Sequence, residues 1–359
     1  MTTFARSSLR VLEALATPHG VDRYLELINP MLTVRELRGE VTDVVRTTPD
    51  TVALTIRPTR QWRGFRAGQF VQVTAVIDGV RRTRCYSPSC SQLRSDGLFE
   101  LTVKAHPGGL FSQWLHANAR PGLVLDLSQA DGTFTLPDVR PERLLLVSGG
   151  SGITPVLSML RTLCDEGHRG DVVFLHYADD AAHVPHRDEL QRLSDRHDNV
   201  RVVIAHTGTD DGELTGFFGD EHLRAVAPWH ADAETFVCGP PGLMRAVREL
   251  HKQRDLLDRL HVEEFAPEIT AVPGDTTGTV HFAASNAKAD NSGATLLEQA
   301  EAAGLSPEYG CRMGICFSCT QIKTSGCTRN IRTGETDSDP DTEIQLCINV
   351  PVGDVELNL

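Results

Sequence analysis

Four cysteines near the C-terminal end constrain this chain more than anything else in it. Cys311, Cys316 and Cys319 follow a C-x4-C-x2-C spacing, and Cys347 stands alone 28 positions later. One tight loop that supplies three thiolates, closed by a fourth from a distant strand, is the ligand pattern of a plant-type [2Fe–2S] cluster. Zinc is the competing reading. Four-cysteine zinc sites pair two C-x-x-C knuckles, whereas only Cys316 and Cys319 form one here. Gly310 and Gly314 also suit a loop whose N–H groups turn toward sulfide. Such a cluster passes one electron at a time, so the remaining residues must supply a source of electrons.

At 359 residues the chain suits two or three domains. Its 40% apolar and 23% charged residues are those of a globular protein. A net charge of −13 argues against nucleic acid or an anionic membrane surface as the main partner. Residues 270–359 hold 12 Asp and Glu against 5 Lys and Arg, an acidic surface that either docks on basic partners or simply solubilises. Nine cysteines in a chain this large point to a reducing, cytoplasmic setting rather than a disulfide framework. Arg6, Arg10, Glu13 and His19 interrupt the first residues, which do not read as a signal peptide. No apolar run reaches the ~18 residues of a membrane span.

Leu9, Val11, Leu12 and Leu15 have helical spacing, and a second helix fits about 21–28, so residues 1–36 read as a helical arm packed on the next domain. Residues 37–140 carry short strands broken by turns (Glu40–Arg46, Thr51–Arg57, Gln69–Val76, Phe99–Lys104, Leu123–Leu127), the pattern of a small antiparallel β-barrel. Residues 141–265 alternate strands (Arg143–Val147, Asp171–Tyr177, Val200–Ala205, Glu234–Val237, Arg259–Glu263) with helices near 154–166, 187–197 and 241–253. That alternation predicts a doubly wound parallel α/β domain. Pro267, Pro273 and Gly274 mark a linker over 266–277. Residues 278–359 read as a strand at Thr279–Ala283, a helix, the cysteine loop and a final strand at Asp354–Leu357. Thr295-x-x-Glu298 predicts a capping box for that helix and Gly304 its stop.

Two motifs fall in the barrel. Arg84-Cys85-Tyr86-Ser87 follows a strand, and offers a cation for a pyrophosphate, a ring to stack on a flavin and a hydroxyl to reach its hydride-accepting nitrogen. Gly108-Gly109-Leu110-Phe111-Ser112 opens a helix, where bare backbone N–H groups favour phosphate. In the α/β domain, Gly149, Gly150 and Gly152 bare the backbone between the first strand and first helix, with Thr154 and Pro155 closing the motif. A second glycine cluster, Cys238-Gly239-Pro240-Pro241-Gly242, follows the fourth strand, at the sheet edge where ligands bind in such folds.

In this order the motifs resemble the ferredoxin–NADP reductase superfamily, in its three-module form with a C-terminal plant-type [2Fe–2S] ferredoxin domain of β-grasp fold. The resemblance spans residues ~37–359 through RxYS (Arg84, Tyr86, Ser87), GGxxS (Gly108, Gly109, Ser112), GGxGITP (Gly149 to Pro155), CGPP (Cys238 to Pro241) and the cysteine quartet. The N-terminal arm, Gly68-Gln69-Phe70 and the run Gly310–Cys316 look closest to actinobacterial-type reductases, some of which serve membrane di-iron acyl-CoA desaturases.

The resemblance implies FAD on the barrel, held by Arg84, Cys85, Tyr86, Ser87, Val103, Lys104, Gly108, Gly109, Leu110 and Ser112. It implies NAD(P)H on the α/β domain, at Gly149, Gly150, Gly152, Ile153, Thr154, Asp179, Cys238, Gly239 and Pro240, and the cluster on Cys311, Cys316, Cys319 and Cys347. Ser87 and Cys238 would flank the reacting rings, and Phe265 would shield one flavin face. Many relatives carry an arginine after the second α/β strand for a 2′-phosphate. Here that stretch is His176-Tyr-Ala-Asp-Asp180, and a carboxylate there favours NADH over NADPH.

The expected chemistry is an electron relay from NAD(P)H through FAD and the cluster to a protein acceptor. A desaturase is the first expectation for that acceptor, and a Rieske, haem or soluble di-iron oxygenase the alternative. A redox sensor that uses the cluster as a switch is the reading from another class.

Overall fold

The computed structural model describes residues 20–265, 276–314 and 317–359. The helical spacing at 7–17, most of the linker at 266–277 and Cys316 lie outside them. The chain forms two compact units. One contains Tyr86–Glu263 with the preceding chain up to Arg81, and the other Glu264–Leu359 with Arg82–Cys85.

In the first unit the described part of the segment before the barrel includes a short helix, α1 (Val21–Leu25). Its fastening is polar. The buried Asp22 carboxylate accepts the N–H groups of Val34, Arg35 and Glu36 at 2.6–2.9 Å. Arg38 then donates to Pro30 O at 3.0 Å and to Glu26 at 2.8 Å, and pairs with Glu36.

Six antiparallel strands come next: β1 (Arg38–Thr48), β2 (Thr51–Pro58), β3 (Val71–Ile77), β4 (Val80–Tyr86), β5 (Phe99–Lys104) and β6 (Val124–Leu127). Their order in the sheet is β4-β3-β6-β1-β2-β5. Alternation drives it. Val71, Val73, Ala75 and Ile77 of β3 point inward while the residues between them face out. Helix α2 (Leu110–Asn118) adds Phe111 and Leu115 to a core with Leu54, Ile56, Phe99 and Leu101. Each such side chain contributes about 1.5–3 kcal/mol on full burial. Strand β4 corrects one expectation, because Arg84, Cys85 and Tyr86 lie inside this strand rather than after one. Its sequence, VRRTRCY, lacks apolar alternation because it is an edge strand.

The other layer of this unit is a parallel sheet of β7 (Arg143–Gly149), β8 (Asp171–Ala178), β9 (Val200–His206), β10 (Leu214–Thr215), β11 (Glu234–Cys238) and β12 (Leu260–Glu263). The order is β10-β9-β8-β7-β11-β12. Leu144–Val147 are fully buried, as expected for a strand covered on both faces. Helices α3 (Ile153–Asp165), α4 (Arg187–Arg196), α5 (Asp220–Val226) and α6 (Pro241–Gln253) complete the layers. The strand order reverses between β7 and β11. Ligands bind beyond the carboxyl ends of strands at such a switch point.

In the second unit, β13 (Thr279–Phe282) pairs antiparallel with β14 (Ala287–Asp290) and parallel with β18 (Asn349–Leu357). Strand β18 also pairs with β15 (Thr320–Asn330), which is flanked by β16 (Thr336–Asp337) and β17 (Thr342–Gln345). Helix α7 (Leu296–Ala302) begins with the expected capping box between Thr295 and Glu298 and ends before Gly304, whose φ is +82°. It packs Leu296, Leu297 and Ala300 on Val280, Phe282, Val355 and Leu357. This mixed sheet has more strands than the sequence pattern showed. Much of β15 is threonine, serine and glycine, and its burial is partial rather than alternating.

Candidate functional site

At the switch point, β7 ends in Gly149 and turns through Gly150–Gly152 into α3, while β11 ends in Cys238 and passes through Gly239 and Pro240 into α6. The two loops are packed against each other. A Cβ on Gly152 would lie 2.2 Å from Cys238 O, and one on Gly149 2.9 Å from Pro240 Cδ. Gly149 and Gly152 are therefore glycines because the loops touch. Gly150, at φ +52° with open space around its Cα, is the member of the trio that exposes backbone. This revises the expectation that all three bare the backbone to a ligand.

Cys238 is fully buried, with Ser148 opposite it on β7 and Glu263 opposite it on β12. Ile153 and Thr154 are buried in the first turn of α3, where Thr154 Oγ1 donates to Ser151 O at 3.3 Å. Ser148 Oγ lies 2.9 Å from Nδ1 of His176, which burial pushes down to about 3 and so keeps neutral.

A small cleft separates Thr51, Thr102 and Lys104 on the barrel from Gly150, Ser151, Ile153 and Thr154, with His183 and Pro185 at its side. Lys104 Nζ is 3.3 Å from Asp50, which fixes the ammonium in place. His106 Nε2 reaches Ser151 Oγ at 3.1 Å, and burial together with Lys104 holds this imidazole below its ordinary value. A lysine facing a glycine turn at a helix start is chemically suited to a pyrophosphate. Next to it, Gly108 has φ +73° and open space. Ser112 is differently employed: its hydroxyl accepts the His106 N–H at 3.2 Å and donates to Gly109 O at 3.1 Å, closing the turn before α2. Leu110 is half exposed at the start of α2.

In the flavin motif, Ser87 is buried and its Oγ meets no hydrogen-bond partner. A buried hydroxyl left unpaired costs about 1–3 kcal/mol, and an acceptor on a flavin ring would satisfy it. The Tyr86 ring packs on Phe111 with centroids 6.0 Å apart, Val103 is fully buried and Cys85 half-buried. Arg84 belongs with the second unit, where its guanidinium donates to Thr83 O and Gly310 O at 2.8–2.9 Å and lies 5.2 Å from the Tyr309 ring centroid. Asp179 follows β8 as an exposed carboxylate within 3.4 Å of Thr207 Oγ1. Phe265, half-buried, lies two residues after β12 in sequence and belongs to the second unit.

Sequence reasoning assigned Glu263 no role. Burial pushes its carboxyl up to about 8, and Oε2 has no partner. The available signal was a glutamate at the end of a strand, Leu260-His-Val-Glu263.

Three of the four cluster cysteines, Cys311, Cys319 and Cys347, are buried. Cys347 lies within hydrogen-bonding reach of Cys311 and Cys319, and backbone N–H groups of Gly314 and Cys347 serve the sulfurs of Cys347 and Cys319. Met313 N–H donates to Cys311 Sγ at 3.3 Å. Arg312 and Phe317 adopt φ near +60°, a cost that a loop around a ligand can hold. Among the described residues no three or more His, Cys, Asp or Glu side chains converge as a metal site. Cys316 lies outside those residues. Cys327 stands apart on β15, half-buried.

The chain matches the oxidoreductase FAD-binding domain over residues 39–136 and the oxidoreductase NAD-binding domain over residues 146–249. It is 36% identical to an NADPH oxidoreductase of Mycobacterium tuberculosis, over 98% of this chain and 91% of the relative. It is 33% identical to a glycine betaine monooxygenase reductase subunit of Pseudomonas aeruginosa, over 82% of this chain and 87% of the relative. Among solved structures it is similar to phthalate dioxygenase reductase, described as carrying electrons from pyridine nucleotides to [2Fe-2S]. There the TM-score is 0.62 at 25% identity, over 90% of this chain and 98% of that one.

The chain belongs to the ferredoxin reductase superfamily of FAD- and NAD-binding oxidoreductases. It is an electron-transfer reductase working from NAD(P)H through FAD, like the reductase components of oxygenases. None of its described helices is long and apolar enough to cross a membrane.

Proposed function

We propose that the chain is a three-module reductase: an arm at 1–36, an FAD barrel at 37–140, an NAD(P) domain at 141–265, a linker at 266–277 and a β-grasp [2Fe–2S] ferredoxin domain at 278–359. Its acceptor is a partner protein, an acyl-CoA desaturase first and an oxygenase component second. The observation that carries the cluster assignment is the cysteine loop. Three buried thiols sit where the N–H groups of Met313, Gly314 and Cys347 turn toward sulfur.

A bound FAD would supply the chemistry that links two-electron hydride donors to one-electron acceptors. The residues of the chain bind, orient and exclude water. Ser87 Oγ, buried and unpaired, is suited to a hydrogen bond with the flavin ring. Lys104 and the Gly150–Thr154 turn would hold pyrophosphate, and Cys238 and Glu263, side by side on β11 and β12, would border the nicotinamide. Arg84, Tyr86, Gly108, Gly109 and Phe265 are the residues that the family resemblance assigns to the flavin. The acidic surface of residues 270–359 is the proposed docking face for a basic partner.

The exposed carboxylate of Asp179, on the strand end that meets the adenine ribose in such sheets, supports NADH. The relative named for NADPH supports the other coenzyme. Steady-state rates with each coenzyme decide between them, and a large NADPH preference refutes the NADH reading. For the cluster, anaerobic reduction with NADH or NADPH should give a rhombic [2Fe–2S] electron paramagnetic resonance signal and two irons per chain. Zinc in place of iron would refute it. Turnover by the reduced protein with a desaturase, but not with oxygenase components, supports the first acceptor, and the reverse supports the second.

A further inference from the structure

Helix α3 starts at the nucleotide turn, and its far half grips the chain that follows the flavin motif. Ser158, Arg161 and Thr162 occupy one face at i, i+3 and i+4. Ser158 Oγ donates to Cys90 O at 2.7 Å, Arg161 Nη1 donates to Ser89 O at 2.6 Å, and the Gln92 N–H donates to Thr162 Oγ1 at 3.1 Å. The gripped residues, Ser89 to Gln92, begin two positions after Ser87.

Arg161 is also the centre of a charge cluster. Its largely buried guanidinium, in a side chain 11% exposed, meets Glu100 of β5 at 2.7 Å and Glu189 of α4 at 2.6 Å, so it joins three separate elements. Glu100 accepts from Ser89 Oγ at 2.7 Å, and Ser89 Oγ is 2.9 Å from Thr102 Oγ1. Thr102 Oγ1 is 2.8 Å from His186 Nε2 and lines the cleft that holds Lys104 and the Gly150–Thr154 turn. The network therefore runs unbroken from α4 to the cleft wall.

Withdrawing a guanidinium and its carboxylate partners from water offsets much of their attraction, so such a cluster is a weak device for stability. A planar fork with fixed donor directions is a strong device for geometry. Hydride transfer needs its two rings at contact, and a misplacement of about 1 Å from a remote change costs about 100-fold.

We propose that Arg161 is a positioning residue for hydride transfer. It sets the register between the loop carrying Ser87 and the turn carrying Gly149–Thr154, and thereby the approach of nicotinamide to flavin. This rests on the proposed assignment of those two loops to the two cofactors.

Arg161→Lys keeps the cation but cannot span Ser89 O, Glu100 and Glu189 together. A second variant, Ser158→Ala with Thr162→Val, removes two loop bonds and leaves every charge in place. Both are compared with the unsubstituted protein in thermal melting, flavin content, coenzyme Kd, anaerobic flavin reduction at saturating coenzyme, and hydrogen exchange at the Gln92 amide of flavin-free protein. Arg161→Lys should bind flavin and coenzyme within about twofold, while saturated flavin reduction slows at least about tenfold and Gln92 loses protection. The double variant should show the same split to a smaller degree.

Unchanged saturated reduction in the double variant despite a deprotected Gln92 overturns the proposal, whether or not Arg161→Lys folds. A loss confined to coenzyme Kd overturns it too. If the unsubstituted protein is not reduced by NADH or NADPH, the functional assignment fails instead, and the Gln92 exchange result still reports on the grip.

Discussion

Cys238 and Glu263 face each other in register on neighbouring parallel strands, a buried thiol beside a half-buried glutamate whose Oε2 is shielded from solvent and has no partner. Desolvation raises the Glu263 pKa from its ordinary 4.5 to about 8. Below 4.5 the group is protonated folded or unfolded. Between 4.5 and 8 only the unfolded chain ionises, so stability falls with rising pH by about 1.4 kcal/mol per unit and levels off above 8. Glu263→Gln should abolish that slope. Urea unfolding of flavin-free protein at pH 5, 6.5 and 8 measures it, and equal slopes in both proteins would contradict a buried neutral carboxyl.

The two glycine roles at the switch point separate by substitution. Gly152→Ala places a Cβ 2.2 Å from Cys238 O and should cost about 1–3 kcal/mol by overpacking, with weakened coenzyme binding. Gly150→Ala has open space and meets only the strain of φ +52°, roughly 1–2 kcal/mol. Melting curves and coenzyme titrations of the pair should show the larger stability loss for Gly152. A larger loss for Gly150 would mean the loops can part.

Cysteine variants sort ligands from packing. Cys347→Ser and Cys319→Ser should lower iron content while leaving flavin reduction by coenzyme intact, because Ser87, Gly108, Gly109 and the two nicotinamide loops lie in the other unit. Cys327→Ser, on β15 and outside the cysteine loop, should keep full iron and change stability by less than about 1.5 kcal/mol. Iron analysis and the visible spectrum read both results.

Asp22 ties the chain before the barrel to residues 34–36. Its burial acts to raise the carboxyl, but the N–H groups of Glu36, Arg35 and Val34 and the charge of Arg38 outweigh it and hold the group below its ordinary 3.8. A depressed carboxyl contributes stability that is present above its unfolded value and lost as pH falls through the folded one. Asp22→Ala should cost about 1–3 kcal/mol at pH 7 and progressively less as pH falls below 3.8, when compared by denaturant unfolding.

Features encoded by neighbours in sequence were legible. The capping box of Thr295 and Glu298, the stop at Gly304 and most core strands follow from local spacing and alternation. The polar edge strand β4 was not, because an edge needs no apolar alternation. Nor were the mostly polar β15 and its short partners. The site showed the same division. Its glycine loops announced themselves, yet the packing duty of Gly149 and Gly152 depends on Pro240 and Cys238, some 90 positions away. Glu263 looks like any strand-end glutamate until its burial is known, and Arg161 like any helix-surface arginine until its two carboxylates are.

By itself the sequence determined the chemistry on offer: four thiols at cluster spacing, two glycine-rich turns, and the Arg84–Ser87 run. Spacing along a chain is covalent, and loops of a few residues have few ways to close. Only tertiary structure decided which of these groups are buried, paired or left unsatisfied. It set Cys238 against Glu263, turned Gly152 against Cys238 O, and joined Arg161 to Ser89, Glu100 and Glu189. Desolvation and hydrogen-bond partners depend on residues distant in sequence, so those properties arise only once the layers have packed.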